Sequence, residues 1–205
     1  MASNCETRFH ALKKIGLFGG TFDPIHHGHL LLARDALEQL RLDRLLFIPA
    51  ACSPHKLGQQ PAAADLRAEM IRAAIEGEPR FCLDELELTR PGPSYSVETV
   101  EELKRREPDS EFVYLVGEDN VAQLATWHRF AELEKMVQFV VLDRSGLNCE
   151  HPYPAIRRHI DISATDIRNR VASGQTIRYL VPPPVEVIIR ERQLYRESSK
   201  SPPKI

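Results

Sequence analysis

The sequence predicts an α/β fold, a doubly wound and mostly parallel sheet with helices on both faces and a small helical part toward its C-terminal side. Three observations carry this. Short apolar runs of strand length alternate repeatedly with 3.6-period helical patterns across 205 residues. Clusters of glycine, histidine, hydroxyl and charged residues fall directly after the apolar runs, where strands of such sheets end and ligands bind. No internal repeat or low-complexity linker divides the chain, so residues 1–205 read as a single domain, with 1–13 and 197–205 as flexible ends.

The elements follow in order. Residues 15–18 read as a strand, and 30–40 as a helix with Leu30, Ala33, Leu37 and Leu40 on one stripe. Residues 45–48 form a second strand, ended by Pro49. Residues 65–75 read as a helix carrying Leu66, Met70, Ala73 and Ala74. Residues 81–88 alternate imperfectly through Phe81, Leu83, Leu86 and Leu88 and read as a strand. Residues 96–105 form a helix with Val97, Val100 and Leu103 inward, and 112–116 a buried strand ending at Gly117. Residues 122–136 read as one or two short helices, followed by a strand over 137–142. A short strand at 159–162, a helix at 163–172 and a last helix at 185–192, introduced by Pro182, Pro183 and Pro184, complete the pattern.

The most informative stretch is Phe18-Gly19-Gly20-Thr21-Phe22-Asp23-Pro24-Ile25-His26-His27-Gly28-His29, set between the first strand and the first helix. Gly19 and Gly20 lack a Cβ, so backbone there can approach a phosphate or ribose closely. The helix that follows aims unpaired N–H groups and its positive dipole end at the same place. His26 and His29 are spaced to face one bound phosphate, with Gly28 between them. Neither the P-loop spacing nor the dinucleotide-fold spacing of glycines is present. The bland alternatives are a plain turn, or a zinc site that would need a third or fourth ligand, which the neighbouring sequence does not offer.

Residues 162–168, Ile-Ser-Ala-Thr-Asp-Ile-Arg, form a second anchor. The hydroxyls of Ser163 and Thr165 and first-turn N–H groups can hold phosphate oxygens, and Arg168 adds a fork of donors. Ser163-x-x-Asp166 is also an ordinary capping box. Lys56 follows the second strand in Ser53-Pro54-His55-Lys56 and can meet a phosphate or simply face solvent. Asp119, after Gly117, can accept hydrogen bonds from ribose hydroxyls. Ser94-Tyr95-Ser96 opens a helix, and Trp127 is the single tryptophan.

The stretch from Gly19 to His29 meets every specified position of Gly-Gly-x-Phe-Asp-Pro-x-His-x-Gly-His. It resembles the bacterial nicotinate-nucleotide adenylyltransferase family, part of the His-x-Gly-His nucleotidyltransferase superfamily. Residues 162–168 are similar to the family's Ile-Ser-Ser-Thr-x-Ile-Arg, with Ala164 in place of a usual Ser. Pro54-His55-Lys56, Ser94-Tyr95-Ser96, Gly117-x-Asp119 with Trp127, and the stretch from Gly174 through Leu194-Tyr195 resemble the family too. The resemblance implies a Rossmann-like nucleotidyltransferase fold, ATP and nicotinate mononucleotide as substrates, and Mg²⁺ brought with ATP. The implied reaction is adenylyl transfer giving deamido-NAD and pyrophosphate. Catalytic roles are implied for His26, His29, Lys56 and Arg168. ATP contacts are implied for those histidines and Arg168 with Gly19, Gly20, Thr21, Phe22, Gly117, Asp119, Ser163 and Thr165. Pyridine-nucleotide contacts are implied for Thr21, Phe22, Lys56, Ser94, Tyr95, Ser96 and Trp127, the aromatic pair offering flat partners for a pyridine. An amide mononucleotide or phosphopantetheine as acceptor, and a non-catalytic nucleotide sensor, stay open at this point.

Composition narrows the setting. A net charge of −2 gives no electrostatic case for long nucleic acids or anionic membranes. No apolar run spans a bilayer and the first ten residues hold no signal-like apolar core, so a cytoplasmic protein is expected. Cys5, Cys52, Cys82 and Cys149 are scattered without a Cys-x-x-Cys, which predicts free thiols rather than a metal centre. Oligomeric state is not legible.

Overall fold

Strands buried on both faces are what a sheet sandwiched between helices requires, and the central strands here have that character. The computed structural model describes residues 12–51, 61–90, 92–145 and 151–196. Six strands, β1 (Lys13–Gly20), β2 (Arg44–Pro49), β3 (Phe81–Leu83), β4 (Ser110–Gly117), β5 (Gln138–Asp143) and β6 (Ala155–Arg157), form one sheet. Their order is β3-β2-β1-β4-β5-β6, and every pairing is parallel. The described helices are α1 (His27–Gln39), α2 (Ala64–Ile75), α3 (Leu86–Thr89), α4 (Ser96–Arg106), α5 (Glu118–Val121), α6 (Phe130–Met136), α7 (Ala164–Ala172) and α8 (Pro183–Glu191).

Alternation along the strands sorts the core into two layers. Phe18, Leu45, Phe47, Val113, Leu115, Val140 and Leu142 face one layer with α1, α2, α7 and α8. Ile15, Leu17, Leu46, Ile48, Phe112, Tyr114, Val116, Phe139 and Val141 face the other, with α4 and α6. The chain lays β1, β2 and β3 toward one edge, then returns to place β4 on the free side of β1. Strand order reverses between β1 and β4, and a crevice opens beyond their C-terminal ends, where such sheets bind ligands.

Two expected strands differ. Residues 81–88 split into a three-residue β3 and the short helix α3. The backbone N–H of Asp84 still bonds the Phe47 carbonyl, but the Asp84 carboxylate then accepts the Leu86 N–H at 2.9 Å and turns the chain into a helix. The last strand lies at 155–157 rather than 159–162. Only that segment runs alongside β5; Ile160 is already past its end and donates to the Arg144 carbonyl. Lys13 belongs to β1, while 1–11 and 197–205 lie outside the described residues. No described helix is long and apolar enough to cross a membrane.

Candidate active site

β1 delivers the chain to the crevice at Gly20, and the loop from Thr21 to Ile25 leads into α1, whose N-cap is His26. The helix starts three residues earlier than its apolar stripe, because the first turn is fixed by the histidines. The His26 backbone N–H donates to Nδ1 of His29 at 3.3 Å, satisfying a helix-start donor. The two imidazoles stack with centroids 3.7 Å apart and planes 26° from parallel. Phe22 meets the His29 ring edge-on at 5.0 Å. Phe22 is buried with φ of 48°, a left-handed conformation that costs a non-glycine residue and persists only where surroundings enforce it.

His26 is 2% exposed and its Nδ1 is buried without a hydrogen-bond partner, while the stacked His29 is partly buried. Burial, then the charge of Arg144, then His27 push the His26 pKa down to about 3. His26 is therefore neutral at pH 7. Gly28 leaves room beside the stack: a Cβ there would lie 3.0 Å from Nδ1 of His26 and 3.2 Å from Cγ2 of Ile160.

Distant residues hold the loop. Arg67, 1% exposed on α2, donates to the carbonyls of Thr21, Ala50 and Ala62 at 2.8, 2.8 and 3.0 Å. The buried Asp23 carboxylate accepts the Ala62 N–H at 3.1 Å and the Tyr195 hydroxyl at 2.6 Å. Arg168 donates to the Asp23 carbonyl at 2.7 Å and to Oγ1 of Thr165 at 3.3 Å. The two sequence anchors therefore meet, with the Arg168 guanidinium fastened three residues before His26. Ser163 caps α7, its Oγ accepting the Asp166 N–H at 3.1 Å. Arg144, exposed just after β5, completes a cationic rim near His26.

Beside the loop lies a cavity of about 340 Å³, walled by Gly19, Gly20, Thr21, Ser94, Tyr95, Ser96, Gly117 and Trp127 among others. The N-terminus of α4 opens onto it through Ser96. Tyr114 and Ser96 share a hydrogen bond of 2.8 Å, and the Tyr114 and Trp127 rings meet edge to face at 5.8 Å. Tyr95 lies against His128 at 4.5 Å. Asp119 folds back over Gly117, where a Cβ would lie 2.5 Å from its Oδ1.

The structure thus gathers Gly19, Gly20, Thr21, Ser94, Tyr95, Ser96, Gly117 and Trp127 around one cavity. It joins His26, His29, Phe22, Thr165 and Arg168 in an adjoining contact network. Asp119 and Ser163 are outside the cavity lining, and Lys56 lies outside the described residues. Residues without a sequence-assigned role also appear. Glu87, Tyr114, Asn120 and His128 line the cavity, and Asp23, Arg67, Arg144 and Tyr195 support or flank the loop. Glu87 is buried and its carboxyl is pushed upward by that burial, against a 2.8 Å hydrogen bond donated by Thr99. Its only sequence signal was a charge inside Leu86-Glu87-Leu88.

The cytidylyltransferase-like family model matches residues 17–170. A probable nicotinate-nucleotide adenylyltransferase of Geobacillus thermodenitrificans is 45% identical over 185 residues, covering 89% of this chain and 86% of that protein. The nicotinate-nucleotide adenylyltransferase of Bacillus subtilis is 39% identical, covering 90% and 99%. In fold, the chain is similar to a Plasmodium falciparum nicotinic acid mononucleotide adenylyltransferase solved with NaAD. That match has a TM-score of 0.76 at 17% identity and covers 89% of this chain and 97% of the other.

Proposed function

Because the chain belongs to the nicotinate-nucleotide adenylyltransferases of the cytidylyltransferase-like family, we propose that its crevice carries out their reaction as follows. The phosphate of nicotinate mononucleotide attacks the α-phosphorus of ATP, pyrophosphate leaves, and nicotinate adenine dinucleotide forms. The attacking phosphate is already ionised at neutral pH, so no general base is required. Catalysis consists of placing two anions in line and stabilising the charge that passes to pyrophosphate.

The residues divide this work. His29, the more exposed ring of the stack, faces the triphosphate and stabilises the transition state. His26, neutral and buried, acts as its platform. Positive potential comes from the α1 N-terminus, Arg168, Arg144 and, by resemblance, Lys56. The aromatic cavity of Tyr95 and Trp127 receives the pyridine, with Ser94, Ser96 and the start of α4 toward its carboxylate. Gly117 and Asp119 take the ribose side of ATP. Mg²⁺ comes with ATP: imidazole, hydroxyl and guanidinium groups are poor Mg²⁺ ligands, and the nearby Asp23 carboxylate is already engaged. Phosphate oxygens and water then supply most of its coordination. We read 1–205 as one domain working in the cytoplasm.

The observation that carries this reading is the fastening of Arg168 to the loop of the stacked imidazoles, beside an aromatic cavity. A parallel pyrophosphate-release assay with nicotinate mononucleotide, nicotinamide mononucleotide and phosphopantetheine tests it. Turnover is expected to be highest with nicotinate mononucleotide. Faster turnover with phosphopantetheine overturns the acceptor. ATP binding without pyrophosphate from any acceptor makes the protein a nucleotide sensor.

A further inference from the structure

A short loop of mixed polarity does not hold a disfavoured backbone by itself. Phe22 sits at φ of 48° between Thr21, whose carbonyl is held by Arg67, and Asp23, whose carbonyl is held by Arg168. The remaining handle is the Asp23 carboxylate, and its strongest partner lies 172 positions away: the Tyr195 hydroxyl, donating at 2.6 Å. The turn that presents Tyr195 is itself shaped with care. Gln193 and Tyr195 have φ of 52° and 62°, and Leu194 N–H donates to the Ile189 carbonyl at 3.0 Å. Leu194 and Tyr195 also pack on the core cluster that contains Phe22 and Ile25. Strained residues on both sides of one short hydrogen bond mark a contact the fold over-determines. Burial and the neighbouring carboxylate push the Tyr195 pKa upward, so the hydroxyl stays a donor throughout the working range. Neither Asp23 nor Tyr195 lines the cavity, so their influence on the reaction passes through the loop and through Arg168, which donates to the Asp23 carbonyl at 2.7 Å.

We infer that Asp23 and Tyr195 are positioning residues for adenylyl transfer, the turn after α8 holding the loop that sets the His26–His29 stack. The inference rests on the proposed function for the reaction it serves. A purely structural role, anchoring α8 to the body of the protein, is the competing account.

The experiment uses the full chain carrying Tyr195→Phe, Asp23→Ala or both, with Arg192→Ala as control. Arg192 pairs with Glu69 at 3.5 Å on the surface and holds α8 without touching Asp23. Three quantities are read: steady-state constants for each substrate, thermal midpoint, and the imidazole Cε1–H resonances of His26 and His29. Small displacements of positioned groups cost rate steeply, so Tyr195→Phe is expected to lower kcat/KM for ATP about tenfold. KM for nicotinate mononucleotide should stay within about twofold, and both imidazole resonances should move. The double variant should be no worse than Asp23→Ala alone, because Asp23→Ala already removes the acceptor of the Tyr195 hydroxyl. Arg192→Ala should change none of these. Unmoved resonances and unchanged kcat/KM in Tyr195→Phe overturn the inference, as does an equal loss in Arg192→Ala. If the parent protein releases no pyrophosphate, the adenylyl-transfer reading fails, and the imidazole resonances still decide whether Tyr195 positions the loop.

Discussion

His26 should make folding stability depend on pH in a way a single substitution can isolate. Its pKa is about 3 in the folded protein against 6.5 for a free imidazole, chiefly because the ring is buried. Between these values the unfolded chain binds a proton that the folded chain refuses, so stability falls as pH falls. The contribution is fully present above pH 6.5 and fully lost below pH 3. At pH 5 the loss is about 2 kcal/mol, and over the whole interval it approaches about 5 kcal/mol. Urea unfolding at pH 7.5, 6 and 5 measures it, with His26→Gln beside the parent. Gln keeps a neutral hydrogen-bonding side chain at the N-cap but does not titrate. All other groups titrate in both proteins, so the difference of the two pH curves isolates the imidazole. The parent should lose about 2 kcal/mol more than the variant between pH 7.5 and 5. Parallel curves would show that the ring finds solvent or a partner for its proton, and would remove the argument for a neutral His26.

His29→Ala should reduce turnover at least ~100-fold while leaving the fold intact; it removes one side-chain acceptor at the start of α1, worth about 0.5–1 kcal/mol in urea unfolding. Near-normal turnover would refute its role. Gly28→Ala should separate stability from activity: a helix gains up to ~1 kcal/mol from Ala over Gly, and the contacts at 3.0 and 3.2 Å cost about 1–3 kcal/mol. The balance is a loss of up to about 2 kcal/mol, so its thermal midpoint should fall by no more than about 8 °C, while turnover falls ~10-fold or more as His26 is pushed from under His29. Unchanged turnover would mean that the ring stack is not what the reaction uses.

The parallel sheet was legible because strands buried on both faces announce themselves as apolar runs, and all four central strands fall where those runs are. Edges were not. β3 and β6 are three residues long, too short for a period of two to emerge, and Asp84 decides the end of β3 by a side-chain hydrogen bond that no periodicity carries. The site shows the same split. His26, His29, Arg168 and the cavity residues Gly19, Gly20, Ser94, Tyr95, Gly117 and Trp127 lie in local motifs. Arg67, Glu87 and Tyr195 act through partners far along the chain, and each resembles an ordinary member of its own helix or turn.

That split has a physical reason which bears on how the site works. Cations at the rim, Arg144 and Arg168, keep part of their hydration, while the buried imidazole carries no charge. Had His26 been a buried cation, desolvation would have opposed folding by several kcal/mol with no anion present. A neutral ring avoids that cost and still gives His29 a face to stack on. Such a ring cannot attract the ligand at a distance, however, so its position must already be correct when ATP is drawn in by the rim. Placement of that kind is a property of the supporting contacts at Asp23, Arg67 and Arg168. On the proposed reading, the motif supplies the chemistry, and remote residues supply the geometry that makes it usable.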